Sequence, residues 1–205
     1  MKGPGPIVAS RAGDGRGAVG GGRRGGSRRD CLRQAVGCCG AALVASTGVP
    51  TWAAEPAGFE LSDWPRGQPT PTLEAPDLQG RRVRLSDLRG RAVLLNFWAS
   101  WCEPCRTEMP ALEGVQARHA ETGLAVLAVN VREHPGTVQR FIQNTGLSLP
   151  VLRDTDGSAA KACGVRIYSS TLAIGRDGRA RFTVVGEPDW AGAAARQWML
   201  ELLQT

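Results

Sequence analysis

The chain has 205 residues, a formal net charge of +6 at neutral pH and 42% apolar residues, which is enough for one ordinary core. Its basic character is confined to one end: residues 1–54 carry eight Lys/Arg and two Asp/Glu, whereas residues 55–205 carry seventeen of each. The neutral second part excludes a basic nucleic-acid-binding domain, so no nucleic-acid partner is expected.

The first 54 residues have the features of an export signal. Residues 27–33, Ser-Arg-Arg-Asp-Cys-Leu-Arg, resemble the twin-arginine export motif, with Cys31 and Arg33 as departures from it. An uncharged, mildly apolar stretch follows, and residues 51–54 offer a small-residue cleavage site. The apolar stretch has about sixteen residues, fewer than the roughly twenty that span a bilayer, so an uncleaved membrane anchor is the weaker alternative.

Two segments precede the centre of the domain. Residues 55–70 contain three prolines and predict a flexible lead-in to a domain that spans 71–205. Residues 71–88 place extended pieces on either side of a turn at Gly80, the second of which alternates apolar side chains with arginine. This alternation predicts an N-terminal β-hairpin.

The centre of the domain has a strand–helix–strand pattern. Residues 92–98 form a short apolar run, which is typical of a strand buried on both faces. Apolar side chains then recur at helical spacing over 102–119, and residues 124–131 form a second apolar strand. A crossover of this length implies that the two strands are parallel and that the connection is right-handed.

The remaining pattern completes an α/β domain with a central mixed sheet flanked by helices. It predicts a helix over 137–146, an edge strand at 149–152, a brief helix at 158–163, strands at 171–174 and 180–185 around an Asp-Gly turn, and a closing helix over 189–203. Trp190 is expected to pack against that last helix.

The residues with the clearest chemistry are Cys102 and Cys105, which lie where the first buried strand meets the helix. On one helical turn their sulfurs can reach bonding distance, and the first cysteine faces the unpaired backbone N–H groups that favour a thiolate. The alternative is half of a zinc site, but only His119, His134 and Cys163 remain in the domain, on different elements. A redox dithiol is the stronger interpretation.

The block over residues 94–110, Leu-Leu-Asn-Phe-Trp-Ala-Ser-Trp-Cys-Glu-Pro-Cys-Arg-Thr-Glu-Met-Pro, resembles the thioredoxin-like thiol–disulfide oxidoreductases of the bacterial cell envelope. These are the TlpA/ResA-type reductases associated with cytochrome c maturation, and the likeness extends from about residue 71 to the end of the chain. The resemblance implies a thioredoxin-like fold. It also implies that Cys102 is the attacking thiol and Cys105 the resolving thiol.

Glu108 follows Cys105 by three residues and Cys102 by six, so its carboxylate can lie below the sulfurs on one helix face. Near a desolvated dithiol such a carboxylate is expected to have a raised pKa and to take the proton of Cys105. The alternative is a solvated glutamate that the helix dipole stabilises. The matching glutamate of ResA-like proteins is an active-site residue, and this favours the functional interpretation.

Ser169 is the main departure from the family, because the alignment puts it at the cis-proline position opposite the disulfide. A non-proline cis bond costs about 2.5–4 kcal/mol, so a trans or strained loop is expected there, which puts the family's substrate grip and metal exclusion in question. Asn96 stands where thioredoxin has a buried Asp and is not assigned that role. Cys163 is interpreted as a small buried thiol, with a third redox or metal-binding sulfur as the alternative.

The sequence thus predicts a periplasmic reductase of protein disulfides, exported by the twin-arginine route, with Cys102, Cys105 and Glu108 as catalytic residues. No cofactor beyond the dithiol and no metal are expected. Two alternatives stay open: a Cu(I)-binding module that uses the two cysteines, and a thiol oxidase. The expected partners are protein substrates, by resemblance apocytochrome c or a copper-site assembly protein, and a membrane electron donor of the CcdA/DsbD type, because the envelope lacks a reducing thiol pool.

Overall fold

The computed structural model of the protein describes residues 58–205. The strands are Phe59–Asp63 (β1), Glu74–Pro76 (β2), Arg82–Arg84 (β3), Ala92–Trp98 (β4), Leu124–Val131 (β5), Val151–Asp154 (β6), Ser170–Ile174 (β7) and Ala180–Gly186 (β8). The α-helices are Glu103–His119 (α1), Pro135–Thr145 (α2), Ser158–Ala162 (α3) and Ala193–Leu203 (α4), and a short 3-10 helix covers Leu85–Leu88.

A six-stranded sheet forms the centre, in the order β1–β8–β7–β4–β5–β6. The pairs β4–β5 and β5–β6 are parallel, and the other three pairs are antiparallel. The predicted α/β fold, a mixed sheet flanked by helices, is confirmed. The predicted edge strand is also confirmed as β6, shifted two residues along the chain.

The central strands β4 and β5 are buried at every residue, as their apolar composition predicts. They pair in parallel, with Leu94 opposite Val126, and α1 makes the crossover. Buried side chains of α1, α2 and α4 belong to one core cluster, and those of α3 and β2 belong to a second. Because both faces are covered, each fully buried Leu or Val of these strands contributes about 1.5–3 kcal/mol.

The predicted N-terminal hairpin is present as the pair β2–β3, with Ala75 opposite Val83. Gly80 has a φ of 80°, in the left-handed region that favours glycine, and forms the turn. The Asp77 carboxylate accepts backbone N–H bonds from Gln79 at 2.9 Å and Arg81 at 2.8 Å, which fixes the turn locally.

The prediction of a flexible lead-in over 55–70 is wrong for residues 59–63, which form β1. This strand pairs antiparallel with β8, and the Phe59 ring lies 5.8 Å from the ring of Trp198 on α4. The edge of β8 would otherwise carry unpaired backbone groups, so the pairing gives this proline-flanked segment a regular structure. The predicted export signal over 1–54, with Cys31 and its cleavage site, lies outside the described residues.

The closing helix also differs from its prediction, because α4 begins at Ala193 and not at Asp189. The Asp189 carboxylate accepts the Ala191 N–H at 3.0 Å, and the Asp189 carbonyl accepts the Gly192 N–H at 2.9 Å, so a turn precedes the helix. Within residues 58–205, no helix combines the length and the apolar character needed to cross a bilayer.

Candidate active site

The two cysteines of the CxxC motif form a disulfide at the start of α1, with an S–S distance of 2.04 Å and a Cα–Cα distance of 5.3 Å. Cys102 is the N-cap residue, and its sulfur accepts the Cys105 backbone N–H at 3.3 Å. The sulfur therefore binds one of the donors that a helix leaves unpaired at its start. After reduction, this donor and the positive end of the helix dipole stabilise a Cys102 thiolate.

The two sulfurs differ in their access to solvent. Cys102 is 5% exposed, whereas Cys105 is completely buried. Trp101 precedes the pair and is 70% exposed, and the exposed Glu103 follows Cys102 and pairs with Arg106 at 3.0 Å. An external disulfide can therefore reach Cys102 before it reaches Cys105, the order that the attacking and resolving roles require.

Glu108 is buried one helical turn after Cys105, so the alternative of a solvated glutamate is wrong. Its Oε1 accepts hydrogen bonds from Asn96 Nδ2 at 2.7 Å and from the Ser169 hydroxyl, and its Oε2 accepts one from Trp190 Nε1 at 3.0 Å. Burial raises the pKa of the carboxyl, and the three hydrogen bonds lower it in part. The group therefore keeps a proton to higher pH than a solvated glutamate does.

Asn96 belongs to this hydrogen-bond network, although no role for it was predicted from the sequence. Its Nδ2 also lies 3.1 Å from both Ser169 Oγ and Thr171 Oγ1, while within the described residues its Oδ1 has no hydrogen-bond partner. One signal was available in the sequence: Asn96 is the polar residue in an otherwise apolar strand, and a buried amide needs partners.

The loop before β7 carries Ser169, as the alignment predicted. The Tyr168–Ser169 peptide bond is cis, so the trans alternative is wrong. The Ser169 hydroxyl points to Glu108, and the Ser169 carbonyl accepts the Gly186 N–H at 2.9 Å, which joins the loop to β8. A proline at position 169 could not donate a hydrogen bond to the Glu108 carboxyl. Serine in place of the family's proline therefore changes the surroundings of Glu108 directly.

Trp190 packs against the last helix as predicted, with its ring 6.3 Å from that of Trp198. It is also fully buried, and its indole N–H is the donor to Glu108. Buried indole N–H groups usually find a partner. No local spacing relates Trp190 to α1, so the sequence alone does not reveal this contact.

Glu133 is a second carboxylate near the dithiol that was not predicted from the sequence. It accepts the Ser100 backbone N–H at 2.7 Å and the Ser100 hydroxyl at 2.6 Å, and Asn130 Nδ2 donates to it at 2.7 Å. These bonds join the segment after β5 to the loop that leads into Cys102. They hold the loop before the nucleophile in place, because a charged acceptor strengthens each bond.

The structure does not bring the third cysteine or the histidines into this site. Cys163 is 4% exposed and caps the C-terminus of α3, and burial together with the charge of Asp154 raises its pKa to about 12. His119 ends α1, and His134 caps α2. Across residues 58–205, no group of three or more His, Cys, Asp or Glu side chains is arranged to hold a metal ion.

Sequence comparison identifies relatives for most of this domain. The model of the AhpC/TSA family matches residues 66–184. The thiol-disulfide oxidoreductase ResA of Bacillus subtilis is 34% identical over 144 residues, which cover 70% of this chain and 79% of that protein. The ResA of Geobacillus thermodenitrificans is 36% identical over 120 residues, which cover 58% of this chain and 69% of that protein.

Solved structures give the same result for the fold. A candidate thiol:disulfide interchange protein DsbE from Chlorobium tepidum superimposes with a TM-score of 0.62 at 32% identity, covering 67% of this chain and 96% of that one. A candidate thioredoxin from Neisseria meningitidis gives a TM-score of 0.60 at 30% identity, covering 66% and 90%. The predicted thioredoxin-like fold is confirmed by these similarities.

Proposed function

Because the chain belongs to the AhpC/TSA family and is a thiol–disulfide oxidoreductase similar to ResA, we propose that it acts as a reductase of protein disulfides. The observation that carries the direction is the acidic surroundings of the dithiol. Glu103 separates the two cysteines, and Glu108 is buried one turn further on. Glu103, and Glu108 when it is ionised, oppose part of the thiolate stabilisation that the start of α1 provides. Strong thiol oxidants are those whose reduced form is stabilised, so this site is suited to give electrons away.

In the proposed reaction the Cys102 thiolate attacks one sulfur of a substrate disulfide. A Cys102–substrate disulfide forms, and the other substrate sulfur leaves as a thiolate. Cys105 then attacks the Cys102 sulfur, which forms the Cys102–Cys105 disulfide and releases the second substrate thiolate. Two electrons pass to the substrate, and the dithiol becomes the disulfide of the structure.

Glu108 supports the second step in this proposal. Cys105 is completely buried and must lose its proton before it attacks, so water is not its direct acceptor. Glu108 lies one turn along the same helix, and its raised pKa matches a group that takes this proton and passes it to the departing substrate thiolate. Asn96, Ser169 and Trp190 hold the carboxyl in position.

The proposal includes a place of action outside the cytoplasm. The twin-arginine-like segment 27–33 supports export to the periplasm, and the names of the ResA relatives support an exchange reaction on protein thiols. A periplasmic reductase needs a source of electrons, because its surroundings hold no reducing thiol pool. We therefore expect a membrane dithiol donor of the CcdA/DsbD type and substrates such as apocytochrome c or a copper-site assembly protein.

The reduction potential of the purified chain tests the direction. We expect a value near that of thioredoxin, about −270 mV, measured by equilibration with dithiothreitol buffers, together with turnover in an insulin-reduction assay. A value near −120 mV would identify a thiol oxidase instead. Tight, stoichiometric copper that is lost in Cys102→Ser would identify the metal-binding alternative and exclude the reductase.

A further inference from the structure

A basic pocket beside the active-site loop takes no part in the reaction described above. It has a volume of about 410 Å³, and its lining includes Arg132, Lys161, Arg166 and Tyr168. No Asp or Glu is among the residues that line it. Three cations with no acidic neighbour in the wall make a surface that attracts a carboxylate or another anion.

Arg132 is held over this pocket by its backbone and its side chain. Its φ of 56° lies in the left-handed region, which no other non-glycine residue of 58–205 occupies. Its Nε donates to the Asp156 carbonyl at 3.2 Å, and the side chain passes over Gly157, where a Cβ would collide with it. Within the described residues, its two terminal nitrogens have no partner. An uncommon backbone conformation that presents a free cation indicates a functional position.

The carboxylates nearest in sequence to the pocket residues accept hydrogen bonds from other groups. Glu133 accepts three hydrogen bonds from Ser100 and Asn130. The Asp154 carboxylate accepts the backbone N–H groups at the start of α3 at 3.1 and 2.8 Å, and that of Asp156 accepts the Ser158 N–H at 2.9 Å. Within residues 58–205, none of these carboxylates forms an ion pair with Arg132, Lys161 or Arg166, so the three cations are available to an added carboxylate.

Tyr168 connects the pocket to the dithiol. It lines the pocket, and its ring lies 5.7 Å from the ring of Trp101, the residue before Cys102. Ile167 beside it is 62% exposed. The exposed apolar side chains of Trp101 and Ile167, with the Tyr168 ring, thus form a surface between the reactive sulfur and the cations, which suits an extended peptide.

We propose that this surface binds an acidic segment of the protein substrate: the reacting cysteine lies at Cys102, and an Asp or Glu a few residues away occupies the basic pocket. The inference rests on the proposed function, because it assigns a substrate class to the same dithiol. Arginine suits this role, since its planar guanidinium binds a carboxylate through two parallel hydrogen bonds.

Matched peptide disulfides test the proposal with the full chain. Each substrate is a homodimer of two identical peptide chains joined by a disulfide. Each chain has one cysteine and a single Glu two to five residues before or after it. A partner peptide carries Gln in place of the Glu. At low salt we expect the reduced chain to reduce one Glu peptide about fivefold faster than its Gln partner, the size of one exposed ion pair. At 1 M salt, where the Debye length is about 3 Å, the ratio should approach one.

Two variants locate the effect. Arg132→Asn removes the charge while keeping a residue that tolerates positive φ, so the fold should persist while the ratio of the Glu rate to the Gln rate falls to about one. Arg118→Gln removes the same charge near the far end of α1, about 24 Å along the helix from Cys102, and should leave the ratio unchanged.

The outcomes distinguish a failure of the acidic-segment proposal from a failure of the proposed reductase function. Equal rates for Glu and Gln peptides at every position, or a ratio that survives in Arg132→Asn, would overturn the acidic-segment assignment while leaving the reductase intact. Equal peptide rates together with inorganic phosphate binding that Arg132→Asn abolishes would identify a small-anion site instead. Failure to reduce any Gln peptide would contradict the reductase itself.

Discussion

Cys102 and Cys163 are almost equally exposed, at 5% and 4%, yet their surroundings give them opposite chemistry. Cys102 caps the N-terminus of α1, and its sulfur accepts a backbone N–H. Cys163 caps the C-terminus of α3, where the helix dipole is negative, and the charge of Asp154 adds to burial in raising its pKa to about 12. At Cys163 burial and the charge of Asp154 both oppose a thiolate, whereas at Cys102 the start of α1 offsets burial, so the groups around each sulfur, and not its exposed fraction, separate the reactive sulfur from the inert one.

The largest effect on turnover is expected when each of these two sulfurs is removed in turn. We expect Cys102→Ser to lose insulin-reduction turnover by at least about a thousandfold, because no nucleophile remains to attack the substrate. Cys163→Ala should keep turnover within about twofold and lower the free energy of unfolding by about 1 kcal/mol, the cost of a small cavity. Urea unfolding measures the second effect. A folded Cys163→Ala that has lost turnover would make Cys163 part of the reaction.

Alkylation compares the two thiols within one molecule. A pKa of about 12 leaves Cys163 with about one thiolate in ten thousand at pH 8. We therefore expect iodoacetamide to modify Cys102 of the reduced chain at least about a thousandfold faster, as measured by peptide mapping. In guanidinium the two rates should become similar. Equal rates in the folded chain would contradict the proposed difference in reactivity between the two sulfurs.

Glu108→Gln tests whether the reactive site also needs its buried carboxyl. We expect turnover to fall about a hundredfold at pH 7, within the range of general base catalysis, because the amide cannot take the Cys105 proton. The first step should be spared: formation of the Cys102–substrate disulfide, trapped by acid quench, should keep a rate near that of the wild type. Full turnover in Glu108→Gln would remove the proton-transfer role.

Glu108→Gln should also change how the free energy of unfolding depends on pH. Burial raises the pKa of Glu108 above 4.5, so the folded state favours the protonated carboxyl. Its contribution to stability is therefore complete below pH 4.5 and is lost as the pH rises through the folded pKa. We expect the free energy of unfolding of the wild type to fall relative to that of Glu108→Gln over this interval, measured by urea unfolding at several pH values. Parallel curves would indicate a solvated carboxyl.

These comparisons also mark what the sequence could predict. The buried strands β4 and β5, the dithiol at the strand–helix junction and the position of Glu108 all follow from spacing within a single element. Ser169 and Trp190 reach Glu108 from 61 and 82 residues away, and no periodicity relates them to α1. Strand β1 escaped prediction for the same reason, because its regular structure depends on the edge of β8.

The smallest expected effect concerns Ser169, whose hydroxyl contacts Glu108 in the reactive site. Ser169→Ala removes one hydrogen bond that stabilises the charged carboxyl, so the pKa of Glu108 should rise further. The acid limb of the pH–turnover profile should then move to higher pH, with turnover reduced a few-fold on that limb and unchanged or slightly increased on the alkaline side.

Ser170→Ala is the matched control, because the Ser170 hydroxyl donates to the Ile167 carbonyl at 2.6 Å and not to Glu108. A profile that moves equally in both variants would reflect disturbance of the loop. A shift confined to Ser169→Ala would mean that the residue at the position of the family's proline tunes the base that serves Cys105.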